Sequence, residues 1–332
     1  MTITPRLVDN PRVWHGAAQA HRSDWIVPID DGDRREIGRT LAAVRRSGRP
    51  LDEVTAADFE LPMLSGKLAA VERELATGRG FVLLRGLRIA DYSEDDLAFI
   101  FWGLCAHLGI GVSQSADGDR IGHVMDRGGS EERYYTRGGE LEFHMDPVDV
   151  VGLLCLRRAL SGGASRIVSS LAVHNAILEE RPDLLALLYR GFHNSRRAHG
   201  EPSTSWRVPV FAEGGGGHEC YLLPVTIRQA VGEGFPLTAP EQEALDYIGK
   251  VAARPGMYLD MDFQEGDIQL LNNRAILHAR TDYRDDPDPR LKRHLLRLWL
   301  MMPRWPVRPD AMRFYSVVDR AGGGVRPRQA AT

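Results

Sequence analysis

With 332 residues, 26% of them charged and 43% hydrophobic, the chain can bury a substantial core, which excludes a disordered or fibrous protein. A net charge of −3 and scattered lysines and arginines argue against a nucleic-acid partner, and no apolar run approaches the length of a membrane span. Cys105, Cys155 and Cys220 are odd in number and lack metal spacing, so they read as reduced core thiols; with no apolar signal core around Arg6, Asp9 and Arg12, a cytoplasmic location is expected.

Residues 1–60 are polar and broken by prolines, with a short helical pattern from Arg34 to Arg46. Leu64 to Ala76 predicts an amphipathic helix that stops before Gly78-Arg79-Gly80. Phe81-Val82-Leu83-Leu84 then predicts a short buried strand, ended by Arg85-Gly86. Ser93 followed by Glu94, Asp95 and Asp96 is a helix start with acids in the first turn, and the helix is expected to run to about His107. From about residue 121 the texture turns to strands. Val150 to Leu156 is a continuous apolar run of the kind buried on both faces, and Ile167-Val168 follows after Ser161-Gly162-Gly163.

Two short helices are expected near Ala172–Glu179 and Asp183–Tyr189. The Gly214–Gly217 run reads as a hairpin tip or flexible loop, because no helix start or lysine follows it. Met257 to Phe263 alternates, with Met257, Leu259, Met261 and Phe263 on one face, and Glu265-Gly266-Asp267 turns the chain into Ile268–Leu271. Many short strands with Gly-rich turns, behind an N-terminal helical region, predict a mostly β fold with α decoration: a double-stranded β-helix, or jelly roll, with N-terminal and inserted helices. One domain is expected over 1–332, with a helical region at 1–78, the jelly-roll core at 79–303 and a tail at 304–332.

His144-Met145-Asp146 is a His-x-acid triplet, and a period of two places both outer side chains on one face of an extended chain. Joined by His278, it offers two imidazoles and one carboxylate. That donor set holds a mononuclear Fe(II) and leaves three positions for a chelating co-substrate and O2. His199-x-Glu201 is a second such triplet, but it lies in a Gly/Ser/Pro-bearing stretch and reads as a loop. Along the last predicted strand Arg293, Leu295, Arg297 and Trp299 share one face, and His294, Leu296, Leu298 and Leu300 share the other. If the leucines pack against the outer core, both arginines point inward, where buried guanidinium groups require anions. Gln114 and the pair Tyr134-Tyr135 are candidates to line the substrate mouth, and loops 111–137 and 195–210 are candidate specificity loops.

These residues resemble the taurine/2,4-dichlorophenoxyacetate dioxygenase (TauD/TfdA) family, the clavaminate-synthase-like Fe(II)/2-oxoglutarate oxygenases. The resemblance runs from about Gly80-Phe81-Val82-Leu83-Leu84-Arg85-Gly86 to about Trp299. It rests on His144-Met145-Asp146, Gly162-Gly163-Ala164-Ser165, Gly266-Asp267, Asn272-Asn273-Arg274 ahead of His278, and Arg293-His294-Leu295-Leu296-Arg297. It implies iron ligation by His144, Asp146 and His278. It implies that Arg297 binds the distal carboxylate of 2-oxoglutarate with help from the Ser165 hydroxyl, and that Arg293 lies near the iron-chelating carboxylate. Ala164 stands where the family commonly has an acid, and the loop Thr281–Leu291 is longer than in the taurine enzyme.

The activity so implied is hydroxylation of an unactivated C–H bond of a small molecule, with succinate and CO2 released from 2-oxoglutarate and O2. Desaturation or cyclisation at the same site, a non-catalytic binding module and a Zn(II) hydrolase or isomerase are the alternatives. The last leaves the arginine pair unexplained. No nucleic acid or membrane partner is expected, and a homo-oligomer is left open.

Overall fold

The computed structural model describes residues 5–126, 139–197, 202–215, 217–312, 324, 325 and 327. Helices α1 (Gly16–Ala20), α2 (Asp31–Ser47), α3 (Ser65–Thr77) and α4 (Glu94–Ala106) alternate with strands β1 (Ile26–Pro28), β2 (Phe81–Arg85) and β3 (Ile110–Gly111) in the first third of the chain. Strands β4 (Ile121–Val124), β5 (Leu141–His144), β6 (Val150–Arg157), β7 (Ser161–Gly162) and β8 (Ser165–Ser169) lead into helices α5 (Ser170–Glu180) and α6 (Pro182–Arg190). The hairpin β9 (Phe211–Gly214) and β10 (Gly217–Cys220) precedes α7 (Pro224–Gly232) and α8 (Ala239–Ala252). The chain closes with β11 (Tyr258–Met261), β12 (Ile268–Asn272), β13 (Ile276–Arg280), β14 (Tyr283–Arg284) and β15 (His294–Met301).

Local chemistry accounts for most boundaries. Asp30 caps α2 and Asp33 returns the bond to the Asp30 amide, so this helix begins before the Arg34 of the sequence pattern. Ser93 accepts from the Asp96 amide and starts α4 where the acidic first turn predicts. Gly266 sits at φ 89°, and a Cβ there would lie 2.0 Å from the Leu87 carbonyl oxygen, so the turn into β12 admits only glycine. Helices α7 and α8 lie where the sequence pattern predicts no element. Their signals were a proline in the first turn of each and the capping box of Thr238 with Glu241.

A seven-stranded sheet runs β1-β2-β12-β6-β15-β3, with β4 also on β15, and a four-stranded sheet runs β11-β8-β13-β5. The two sheets face each other across one apolar layer: Phe81, Val151, Leu271, Leu295 and Trp299 come from the larger, and Ile167, Leu259, Met261 and Ile276 from the smaller. The outer face of the larger sheet packs Leu296, Leu298 and Leu300 against Leu41, Leu75, Ile100 and Phe101 of α2, α3 and α4. Those leucines are at most 1% exposed, and each contributes about 1.5–3 kcal/mol of transfer free energy. The smaller sheet's outer face meets α5, α6 and α8 through Val168, Leu277, Val173, Leu188 and Ile248.

The expectation of a mostly β chain needs correction to mixed sheets with helices. Among the described residues helices contribute more than strands, because the strands are short while α2, α3, α4 and α8 must cover both sheet backs. The three cysteines are buried and free, as expected of core thiols. Among the described residues no helix is long and apolar enough to cross a membrane. Tyr134 and Tyr135, and the triplet His199-x-Glu201, lie outside the described residues.

Candidate active site

β5 and β13 pair so that His144 stands directly opposite His278, and their rings come to 4.3 Å between centroids. Asp146 follows the end of β5, and its Oδ2 lies 3.9 Å from His278 Nε2. One nitrogen from each histidine and one carboxylate oxygen fall within 4.8 Å of one another. The His144 Nδ1 contacts the Glu142 carbonyl oxygen at 2.8 Å, which fixes the ring and leaves Nε2 for an ion.

The protonation states suit a cation. Burial, reinforced by His144, pushes His278 down to about 3, so this imidazole is neutral at physiological pH. Burial alone would raise Asp146, but Arg297, His278 and His144, with a hydrogen bond from Trp299, outweigh it and hold the carboxyl below its usual range. The neutral His278 and the ionised Asp146, with His144 opposite, form the facial donor set that Fe(II) takes.

A buried framework fixes the carboxylate. Trp299 Nε1 donates to Asp146 Oδ2 at 2.9 Å, and Arg297 Nη1 lies 3.6 Å from the same oxygen. Gln114 Oε1 accepts from Arg297 Nε at 2.8 Å, while Gln114 Nε2 donates to the Arg297 and Arg120 carbonyls. Gln114 therefore orients Arg297. Asn273 holds the Asp146 backbone from both sides, accepting from its amide and donating to its carbonyl. Asp149 accepts from the Met302 amide and pairs with Arg274 at 2.8 Å, pinning the loop behind the triplet. Sequence reasoning missed Trp299, Asn273 and Asp149 as supports, since nothing local links them to Asp146.

Arg293 lies in a different setting. Its guanidinium stacks 5.3 Å from the Tyr283 ring, which also receives Arg280 at 4.7 Å. Arg293 Nη1 and Tyr283 Oη are buried without a hydrogen-bond partner among the described residues. Burial, then Arg280, lowers Arg293 to about 10. A buried cation beside a second cation requires an anion to neutralise it. Ser165 stands across from Arg280 in the β8–β13 pairing, with its hydroxyl donating to Gln269 Oε1 at 3.0 Å.

The neutral His278 has a consequence for the metal-free protein. Its folded value, near 3, lies below the ordinary 6.5, so the unfolded chain binds a proton over a range where the folded chain does not. Stability contributed by His278 is present above about pH 6.5 and is lost as pH falls toward 3. Denaturant melts of metal-free protein at about pH 7 and about pH 5.5 should show a larger loss in the wild type than in His278→Gln. Equal losses in the two proteins would contradict this account of the buried imidazole.

Two facing sheets enclosing a His-x-Asp…His triad and buried arginines define the class of mononuclear non-haem metal oxygenases. Residues 47–299 match the family described as "Taurine catabolism dioxygenase TauD, TfdA family". The chain belongs to the TauD/TfdA family of iron- and 2-oxoglutarate-dependent dioxygenases and is an oxidoreductase. It is 29% identical over 310 residues to the FR-33289 synthase of Streptomyces rubellomurinus, covering 90% of this chain and 91% of the relative. It is 30% identical over 311 residues to the taurine hydroxylase-like protein SAT17 of Stachybotrys chartarum, covering 88% of this chain and 79% of the relative. Among solved structures it resembles an asparagine oxygenase in complex with Fe(II), 2S,3S-3-hydroxyasparagine and succinate, with a TM-score of 0.69 at 17% identity over 92% of this chain and all of the other. The oxygenase OrfP in complex with Fe and α-ketoglutaric acid gives a TM-score of 0.61 at 16% identity, covering 83% of this chain and 94% of that one.

Proposed function

We propose that the chain hydroxylates an unactivated C–H bond of a small molecule, consuming 2-oxoglutarate and O2 and releasing succinate and CO2. The observation that carries this reading is the convergence of His144, Asp146 and His278 beside a buried arginine. Hydroxylated amino acids bound in the asparagine oxygenase and in OrfP support it. The facing sheets are read as the two halves of a double-stranded β-helix within one domain, and the cytoplasm as its location.

Iron at the triad would supply the oxidising power that removes hydrogen from the substrate carbon. The protein's own work is to hold, orient and exclude water. His144, Asp146 and His278 would hold the ion, and Trp299 and Arg297 keep the carboxylate in one orientation. One carboxylate of the co-substrate would sit at the metal, so the distal one needs a cation of its own. Arg297 touches the metal-ligating carboxylate, while Arg293 lies four residues earlier, directly before β15, about 13 Å away if the chain stays extended. This arrangement favours exchanging the roles that the family resemblance implied: Arg293 for the distal carboxylate, near Ser165, and Arg297 at the metal end. The Gln114 side chain is spent on Arg297, so it serves the site by positioning that cation and not as a substrate contact.

Turnover under 18O2 tests the reaction type. One labelled oxygen is expected in the product hydroxyl and one in succinate, and added chloride or bromide is expected to give no halogenated product, because Asp146 fills the coordination position that a halide would need. A product two hydrogens lighter and free of label would replace hydroxylation by desaturation or cyclisation.

A further inference from the structure

A second group of metal-ligand side chains lies on the outer side of the larger sheet. Glu94 is the first residue of α4, His123 lies in β4 and His294 begins β15. Because β4 and β15 pair with His123 opposite Leu296, His123 and His294 project from the same outward face as the leucines that meet α4. His123 Nδ1 and His294 Nε2 are 2.9 Å apart. The Glu94 carboxylate lies 3.6 Å from His123 Nδ1 through one oxygen and 3.6 Å from His294 Nδ1 through the other. The His294 side chain is 7% exposed, whereas His123 and Glu94 are 39% and 56% exposed and open the cluster to solvent.

We propose that Glu94, His123 and His294 form a second metal site, separate from the oxygenase centre, that takes a borderline transition-metal dication such as Zn(II). Two imidazoles and one carboxylate are the donors such ions prefer, whereas Mg(II) and Ca(II) select oxygen-only sets. Donors around a tetrahedral Zn(II) sit about 3.3 Å apart, between the 2.9 Å of the His123–His294 pair and the 3.6 Å of the His123–Glu94 pair, and one donor atom from each of the three residues falls within 4.8 Å of the others. The ion takes the place of the direct contact between the two imidazoles, and water completes its shell on the open side. Neighbouring cations have other partners: Arg45 pairs with Asp95 and Asp96, Arg157 donates to the Lys292 carbonyl and Lys292 to the Asp126 carbonyl. Bound there, the ion clips the first turn of α4 to β4 and β15, next in the chain to Arg293.

Calorimetric titration of metal-free protein with Zn(II) separates the two sites. The wild type is expected to bind two ions per chain, since Zn(II) also enters the oxygenase triad. The double variant His144→Ala, Asp146→Ala should keep one ion, and adding His123→Ala should remove it or weaken it at least tenfold. In the otherwise native protein, His123→Ala should bind one ion at the triad and keep 2-oxoglutarate turnover. The exposed position of His123 makes that variant safe for folding, and Glu94→Gln provides an independent second test. A His144→Ala, Asp146→Ala variant that binds no ion overturns the proposal. So does a second ion whose affinity is unchanged by both His123→Ala and Glu94→Gln.

Discussion

Alanine at His144, Asp146 or His278 is expected to bring 2-oxoglutarate turnover down to the metal-free background, the largest effect that any substitution in this chain should have. Each residue supplies one of only three protein donors, so removing one leaves an ion held by two groups and exposed to exchange. Asp146→Ala should be the most severe for the surroundings as well. It strands Arg297 and the Trp299 indole N–H in a buried space without the carboxylate that both face. The measurement is succinate formation with Fe(II) supplied in excess, alongside Fe(II) affinity. A variant with wild-type succinate formation would remove that residue from the triad.

Arg293→Lys is expected to raise the KM for 2-oxoglutarate by roughly 30-fold or more, the lower end of what breaking a buried charge pair costs, about 2 kcal/mol. Lysine keeps the charge but loses the planar fork that grips a carboxylate through two bonds. It also loses the stacking of Arg293 on Tyr283. Arg297→Lys should behave differently. The Gln114 bond is lost and the metal-ligating carboxylate is freed to rotate, so kcat falls while the KM for 2-oxoglutarate changes less than about fivefold. If Arg297→Lys moves that KM strongly and Arg293→Lys does not, the roles revert to those that the family resemblance implied.

The contrast between these two arginines marks where sequence reading stops. Alternation along β15 puts Arg293, Leu295, Arg297 and Trp299 on one face, and the structure has Leu295 and Trp299 in the inter-sheet core with Leu296, Leu298 and Leu300 behind it. Which arginine reaches the metal is another matter. It depends on how β15 stands against β6 and β4, a register set by contacts across more than a hundred residues, with an irregularity between His294 and Leu295. No local pattern carries that information. For the same reason Gln114 is legible in the sequence as a candidate to line the substrate mouth and not as the partner of Arg297. Trp299 read as one more apolar face residue, although its indole N–H holds Asp146. Asn273 stood within a recognised motif, but its clamp on the Asp146 backbone exists only once the loop after β12 meets the end of β5.

Strand identity was legible where burial was two-sided, as in β6, and helix starts were legible where an acid or serine cap stood in view, as at Ser93. The dominance of helix over strand was not. The capping box at Thr238 is a local signal for α8, but it lies within a stretch of mixed polarity that shows no clear periodicity.

Coupling of O2 to the oxidation of 2-oxoglutarate at this site can be tested without knowing the substrate. Metal-free protein reconstituted with Fe(II) and 2-oxoglutarate under 18O2 is expected to release succinate carrying one labelled carboxylate oxygen, and His278→Ala is expected to release none. Unlabelled succinate, or equal succinate from wild type and His278→Ala, would contradict the account.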